Sequence, residues 1–218
     1  MNLTLIGATG FVGAPLLSEL LSRGHTVTVL ARDPAKLPAR DGLRVVTGDA
    51  LKPADVATAA RGADAVVSAF NPGWEHQQLA ETFALGSRAI LAGVRAAGVA
   101  RVLVVGGAGS LFVAPGVQLV DTPAFVDQVP PNVVPGARAA RDLLTEMRGI
   151  TDLDWVFLSP PAMLAPGERS GRYQVGGEEL MMAGTAPAGI SVADLAVAIA
   201  DELERPAHHR QRFTVAAA

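Results

Sequence analysis

Short apolar runs alternate along the chain with longer amphipathic stretches, and this alternation predicts strands followed by helices. The apolar runs are rich in β-branched residues, which is typical of parallel strands buried on both faces. They predict strands at Leu3–Ile6, Thr26–Ala31, Arg44–Thr47, Ala65–Ala69, Arg101–Val105 and Trp155–Leu158. Helical spacing of apolar residues predicts helices at Phe11–Ser22, Ala54–Arg61, Glu75–Ala97 and Gly136–Arg148. We therefore expect an α/β fold, a Rossmann-type doubly wound parallel sheet with helices on both faces.

The alternation is interrupted in two places. The segment from Ala108 to Pro135 is rich in proline and lacks periodicity, which is typical of a functional or mobile loop. The part after Leu158 predicts a hairpin near Gly171–Gly177, a helix at Val192–Leu203 and a strand at Arg212–Val215. We expect one Rossmann-like domain over residues 1–218, in which residues 159–190 and 205–218 form a small extension on the substrate side.

Composition narrows the class of protein. The 218 residues are 50% hydrophobic, carry a formal net charge of −3 and contain no basic run, so a nucleic-acid partner is not expected. The absence of cysteine excludes disulfides, thiolate metal sites and cysteine nucleophiles. No acidic or histidine spacing indicates a metal. No apolar stretch reaches the ~18 residues of a membrane helix, and no signal peptide is visible. We expect a cytoplasmic monomer or homodimer.

The first predicted strand is followed by the turn Gly7-Ala8-Thr9-Gly10-Phe11-Val12-Gly13, which leads into the first helix. This is where dinucleotide-binding folds place their phosphate loop. Glycine permits the tight turn and the close approach of backbone to pyrophosphate, and the helix N-terminus offers free N–H groups. A tight turn without a ligand is the alternative. The residues expected to bind the cofactor here are Gly7, Thr9, Gly10, Phe11, Val12 and Gly13.

Strand two ends at the position that sets the choice between NAD and NADP. An acidic residue there binds the ribose of NAD, whereas Arg32 stands there in this chain. Arg32 and nearby Lys36 suit the 2′-phosphate of NADP, so NADP(H) is favoured over NAD(H). An ordinary solvated loop is the alternative for both. Asp33, followed by Pro34, is interpreted as the N-cap of a short helical turn.

Three further strand ends are expected to face the cofactor, because ligands bind outside the carboxyl ends of parallel strands. Asp49 is expected near the adenine. The small residues around Ala69, with Phe70, allow the cofactor to approach the backbone. Gly106 and Gly107 are expected near the nicotinamide.

Aromatic and histidine side chains in the irregular segments are candidates for a small-molecule acceptor pocket. Trp74 and His76 follow strand four, and Phe112 and Tyr173 lie in the irregular regions. A solvent-facing position at a helix start is the alternative for His76, and core packing is the alternative for the aromatic residues.

These motifs together resemble a known family. Gly7–Gly13, Arg32–Lys36, Gly48-Asp49 and Gly106–Ser110 look like the atypical short-chain dehydrogenase/reductases of the NmrA-like branch. The later segments resemble bacterial NAD(P)H-flavin reductases, and they are Asp154–Pro161, Pro166–Tyr173, Ile190–Asp194 and His208–Val215. The resemblance spans nearly the whole chain. It implies NADPH binding and reduction of a flavin- or quinone-like acceptor.

The chain departs from the classical members of that superfamily in its proton chemistry. They use Tyr-x-x-x-Lys on the helix after strand five, but the single tyrosine here is Tyr173 and the lysines are Lys36 and Lys52. The expected helix instead reads Pro135-Gly136-Ala137-Arg138-Ala139-Ala140-Arg141. Carbonyl reduction, epimerisation and dehydration by the standard mechanism are therefore not expected.

Hydride transfer to a flavin or quinone makes a delocalised, weakly basic anion, for which a tuned general acid matters less. The protein then mainly binds and orients the two reactants. Ser110 is the candidate catalytic residue, as a hydrogen-bond donor, and a turn-capping role is the alternative. A non-catalytic regulatory protein of the NmrA-like type that senses NADP(H) is the alternative function, since fold does not fix function.

Overall fold

The computed structural model describes all 218 residues. The strands are β1 (Asn2–Ile6), β2 (Thr26–Ala31), β3 (Leu43–Thr47), β4 (Ala65–Ser68), β5 (Arg101–Val105), β6 (Phe112–Ala114), β7 (Val117–Gln118), β8 (Asp154–Ser159), β9 (Met163–Ala165), β10 (Tyr173–Gly176), β11 (Met182–Ala183), β12 (Ala186–Pro187), β13 (Gly189–Ser191) and β14 (Gln211–Ala217). The α-helices are α1 (Gly13–Ser22), α2 (Pro53–Ala60), α3 (Leu79–Ala96), α4 (Pro123–Gln128), α5 (Val134–Met147) and α6 (Val192–Glu204). Single 3₁₀ turns lie at Pro34–Lys36, Ala108–Ser110 and Leu119–Asp121.

Eight strands form the central sheet in the order β10-β14-β8-β5-β4-β1-β2-β3. All neighbours are parallel except β10, which runs antiparallel to β14. The chain moves outward in one direction from β1 to β3 and in the other from β4 to β8, so the connection reverses between β1 and β4. Ligands bind at such a switch point in doubly wound sheets. The predicted Rossmann-type fold is confirmed.

Two apolar layers hold the helices on the sheet. Helices α1 and α6 cover one face and bury Leu16, Leu20, Leu195 and Ile199 against it. Helices α2, α3 and α5 cover the other face and bury side chains such as Val56, Ile90 and Leu144. The parallel strands between these layers are mostly apolar because the central ones contact both.

The C-terminal part differs from the expectation of a local hairpin near residues 171–177. The segment near 171–177 does not fold back on itself: β10 pairs with β14, with Tyr173 opposite Ala217. Residues 211–217 lie inside the central sheet, between β8 and β10. The pattern missed this because the partner strands are distant in sequence. Outside the sheet, β9 pairs with β13 and β11 with β12.

Helix α3 begins at Leu79, four residues later than predicted from the apolar spacing. Side chains in the preceding segment bond to nearby backbone instead: Asn71 Oδ1 accepts from the N–H of Gly73 at 2.8 Å, and His76 Nδ1 accepts from the N–H of Gln78 at 3.2 Å. Such local bonds compete with helix formation. Trp74 and His76 therefore lie in a loop at the end of β4.

The segment predicted as one long loop, 108–135, is built from short elements. Strands β6 and β7 form a small hairpin, and α4 follows it. Thr122 caps α4 by accepting the N–H of Phe125 at 3.2 Å. The sequence pattern did not predict these elements, because each is only one turn or a few residues long.

Candidate nucleotide and acceptor site

The glycine loop lies at the switch point and is held by contacts that admit no side chain. Gly7 has φ of +85°, and a Cβ there would lie 2.3 Å from the carbonyl oxygen of Ala69 at the end of β4. A Cβ at Gly13 would lie 2.0 Å from the carbonyl oxygen of Gly7. The close contact of Gly13 is therefore with the loop itself. A Cβ at Gly10 would meet only the Gly7 oxygen, at 3.3 Å.

The start of α1 presents unused hydrogen-bond donors. The N–H groups of Phe11, Val12 and Gly13 donate to no backbone carbonyl, and no side chain caps this end. No acidic residue stands in the first turn of the helix. The phenyl ring of Phe11 is 52% exposed, so it does not belong to the core. Free N–H groups and the positive end of a helix dipole form an anion site.

The end of β2 carries two positive side chains next to this loop in the sheet. Asp33 Oδ1 accepts the N–H of Ala35 at 3.1 Å and caps the turn Pro34–Lys36, as predicted. Arg32 and Lys36 are exposed, and neither forms an ion pair. Both charges are therefore available to a ligand at this edge.

The predicted residues Asp49 and Phe70 have partners of their own. Asp49 Oδ1 accepts the N–H of Leu51 at 3.0 Å, which closes a turn after β3. The ring of Phe70 lies where a Cβ of Gly86 would be, 2.3 Å from that position, so it points to α3. The backbone of Ala69 and Phe70, rather than the Phe70 ring, lines the space at Gly7.

The loop after β5 is shaped by a neighbouring strand. A Cβ at Gly106 would lie 2.1 Å from ring atoms of Phe157, so this glycine makes room for a core side chain. Ser110 Oγ donates to the carbonyl oxygen of Gly107 at 3.0 Å and lies 2.9 Å from Ser159 Oγ. Both serines are buried. Ser159 was not predicted, although a serine that ends a buried strand is a usable signal.

A second contact holds the same loop from the side of α5. Gln118 Nε2 donates to the carbonyl oxygen of Ser110 at 2.9 Å, and Arg141 Nη1 donates to Gln118 Oε1 at 3.3 Å. Ala137, four residues before Arg141, packs beside Gly109, with its Cβ 3.6 Å from the position of a Gly109 Cβ. Helix α5 thus contacts the loop directly through Ala137 and indirectly, through Gln118, by Arg141.

Three of the four residues predicted to line the acceptor pocket lie in the segments after β4 and β5, and the fourth, Tyr173, does not. Trp74 is 50% exposed at the end of β4, where its carbonyl oxygen accepts Asn132 Nδ2 at 2.8 Å, and His76 is exposed in the same loop. Phe112 follows Ser110 and is half-buried. Tyr173 lies apart from the glycine loop.

The Tyr173 hydroxyl donates to Asp201 Oδ2 at 2.7 Å, and Asp201 also binds Arg23. Arg23 stands at the end of α1 opposite to the glycine loop. Burial and the bond to Asp201 raise the pKa of Tyr173, so its hydroxyl stays protonated. The structure does not bring Tyr173 to the ends of β4 and β5.

Other features of the surface do not add to this site. No group of three or more His, Asp or Glu side chains is arranged to hold a metal ion. None of the helices combines the length and hydrophobicity needed to cross a membrane. A groove of about 470 Å³ lies between α3 and α5, where Arg88 and Glu146 face each other, and not at the strand ends.

The switch-point loop and its unused N–H groups fit the pyrophosphate of a dinucleotide, and they define a Rossmann-type dinucleotide-binding protein. A family model described as NAD(P)H-binding matches residues 7–206. The chain belongs to this NAD(P)H-binding family, and its fold is oxidoreductase-like.

The similarity to several known proteins extends over nearly the full chain. An uncharacterised protein YwnB from Bacillus subtilis is 37% identical over 99% of this chain and 98% of its own length. A solved structure of a candidate epimerase from Bacteroides thetaiotaomicron is 41% identical, with a TM-score of 0.89 over 99% of this chain and 96% of that one. A candidate NADH-flavin reductase from Streptococcus pneumoniae is 31% identical, with a TM-score of 0.81 over 100% of both chains.

Proposed function

We propose that this chain is an NADPH-dependent oxidoreductase that reduces a flavin- or quinone-like acceptor by hydride transfer. The observation that carries the proposal is the set of side chains at the end of β5 and the start of α5. The segment 106–111 and the first turn of α5, residues 134–137, contain no side chain that titrates near neutral pH. Apart from His76, which lies exposed in the loop after β4, the proposed site offers no general acid, so a reaction served there depends mainly on orientation of the two reactants.

The residues of the nucleotide half have separate roles in this proposal. The N–H groups of residues 11–13 bind the pyrophosphate, and Gly7 lets it approach the ends of β1 and β4. Arg32 and Lys36 bind the 2′-phosphate, which is why NADPH is proposed over NADH. The bound nicotinamide supplies the hydride.

The acceptor half orients a flat apolar ring. Trp74 and Phe112 offer aromatic faces at the ends of β4 and β5, and His76 offers a polar contact. Ser110 is retained as the proposed hydrogen-bonding residue, acting on the loop or on the acceptor. In the net reaction the acceptor gains a hydride and a proton, and NADPH becomes NADP⁺. Water can provide the proton, since the reduced ring is a weak base.

Epimerisation, the activity suggested for the Bacteroides structure, is less compatible with this site. Epimerases of this superfamily use a Tyr-x-x-x-Lys pair on the helix after β5, and α5 contains neither a tyrosine nor a lysine. The candidate flavin reductase from Streptococcus pneumoniae supports the acceptor that we propose.

The test is a matrix of two cofactors and four acceptors. Purified protein is mixed with NADPH or NADH and with FMN, FAD, riboflavin or a quinone, and the nicotinamide absorbance is followed. We expect turnover with NADPH and at least one of these acceptors. NADP(H) binding that is tight and redox-selective but without turnover would overturn the enzyme and favour the sensing alternative. Equal rates with NADH would overturn the cofactor preference alone.

A further inference from the structure

Strand β14 carries a concentration of buried polar atoms that have no partner in the protein. Four buried side-chain polar atoms lack one, and three of them belong to this strand: Arg212 Nε, Arg212 Nη1 and Thr214 Oγ1. The Arg212 side chain is 0% exposed, and Thr214 is 0% exposed. Buried polar groups in folded proteins are nearly always hydrogen-bonded, so these atoms point to a bound molecule.

The two residues face the same side of the sheet. Side chains alternate along a strand, and the intervening Phe213 belongs to the core beneath α1 and α6. Arg212 and Thr214 therefore point to the opposite face, on the side of α5. There Arg148, at the end of α5, reaches Glu178 with Nη2 2.6 Å from Oε2.

The charges around Arg212 determine what kind of ligand fits. Arg212 Nη2 donates to the carbonyl oxygen of Glu178 at 2.7 Å and also to its carboxylate. Two guanidinium groups, those of Arg212 and Arg148, thus share the single carboxylate of Glu178. The unused atoms of Arg212 are donors only. A ligand between them must accept hydrogen bonds and need not be positively charged.

The walls of this space are close and largely apolar. The ring centroid of Phe112 lies 5.9 Å from Arg212 Cζ. Gly176 faces Thr214 across the strand pair, and a Cβ there would be 3.0 Å from Thr214 Cγ2 and 2.8 Å from Met181 Sδ. Such close surroundings favour a very small ligand over an organic one.

We infer that Arg212 and Thr214 bind a small buried hydrogen-bond acceptor, a water molecule or a halide ion, as a constitutive part of the fold. The site lies behind the loop that carries Ser110, because the backbone of Phe112 pairs with Glu178 and Leu180 at 2.9 Å each. Arg212, which would hold the ligand, also bonds to Glu178, so the site lies beside the segment that pairs with Phe112. The inference stands independently of the proposed acceptor and cofactor.

The direct test is a high-resolution crystal structure of the full chain grown with bromide. We expect a peak at about 2.7–3.3 Å from Arg212 Nη1 or Nε and from Thr214 Oγ1. A peak without anomalous signal identifies water, and a peak with the bromide signal identifies a halide. Clear density for both side chains with nothing between them overturns the inference.

The Tm of Thr214 variants distinguishes a bound ligand from an unpartnered hydroxyl, because the two cases predict changes of opposite sign. If Thr214 Oγ1 binds a ligand, Thr214→Val lowers the Tm by about 2–4 °C and Thr214→Ser restores most of the hydrogen bond. If the hydroxyl is truly unpartnered, the valine removes a buried unsatisfied group and the Tm stays or rises. Thr4→Val is the matched control, because buried Thr4 Oγ1 donates to the carbonyl oxygen of Ala59 at 3.0 Å.

Discussion

The hydroxyl oxygens of Ser110 and Ser159 lie 2.9 Å apart and join the loop after β5 to the end of β8. Since Ser110 Oγ also donates to the carbonyl oxygen of Gly107, the pair fixes the backbone of a loop that we place beside the nicotinamide. This geometry makes the two serines act as one unit.

We expect Ser110→Ala and Ser159→Ala each to lower acceptor turnover, by about threefold to tenfold, since both remove the hydrogen bond between the serines and Ser110→Ala also removes the bond to Gly107. The double variant should lose no more than Ser110→Ala, because residues in one network are not additive. Steady-state rates with NADPH measure this. A severe loss in Ser110→Ala alone would instead indicate that its hydroxyl contacts the acceptor.

Gly7 should tolerate no side chain. Gly7→Ala combines a positive φ with an overlap against Ala69, so we expect the free energy of unfolding to fall by at least about 1–3 kcal/mol and NADPH binding to be lost. Gly24→Ala is the control, because Gly24 also has positive φ, +79°, but has nothing within 4 Å of its Cβ position. That variant should lose less stability and keep its affinity. Denaturant unfolding and NADPH titration compare the two; equal effects would contradict the close-approach argument.

Arg32 should distinguish the two cofactors. Arg32→Ala is expected to weaken NADPH binding by about tenfold to a hundredfold, the loss of a charge-assisted hydrogen bond, and to leave NADH nearly unchanged. Arg44→Ala is the control, since Arg44 is exposed on neighbouring β3 and forms no ion pair. Calorimetric titration with both nucleotides measures the ratio. Equal losses for NADPH and NADH would remove the 2′-phosphate role.

Glu19 should make the free energy of unfolding depend on pH in the acidic range. Its buried carboxylate accepts Arg169 Nε at 2.7 Å and Arg23 Nε at 2.8 Å, and the bond from Arg169 lowers its pKa. A lowered pKa means that the contribution is present above the unfolded-state value of about 4.3 and is lost as pH falls through the folded value.

We therefore expect Glu19→Gln to cost about 1–3 kcal/mol at neutral pH, with a difference from the parent chain that shrinks below about pH 4. Unfolding curves across this pH range measure it. The control is Glu168→Gln, because Glu168 is exposed and forms no ion pair. A difference that stays constant with pH would show that Glu19 acts through packing alone.

The parts of the site that the sequence predicts are those determined by residues that are neighbours in the chain. Gly7 follows a strand and precedes a helix, and Asp33 stands next to a proline, so turn and cap can be derived from neighbours in the chain. Gly106 could not be explained in this way, because its size is dictated by Phe157 on another strand. Tyr173 was misplaced for the same reason: Asp201, which binds its hydroxyl, belongs to a distant helix.

Strand pairing shows the same limit. The parallel strands β1 to β5 follow one another in the chain, separated by helices or, between β2 and β3, by a short turn, so periodicity found each of them. The position of β14 inside the sheet depends on β10, which has only four residues, and nothing in so short a run specifies its partner.

The antiparallel strand β10 is hydrogen-bonded on one side only, at the edge of the sheet. Edge strands, which have a hydrogen-bonded neighbour on one side only, open locally at a lower free energy than interior strands. Opening of β10, which ends two residues before Glu178, would loosen the contact of Glu178 with Arg212 without disturbing β1 or β4. Amide hydrogen exchange on warming should therefore find β10 exchanging early, while β1 and β4, which are hydrogen-bonded on both sides, remain protected.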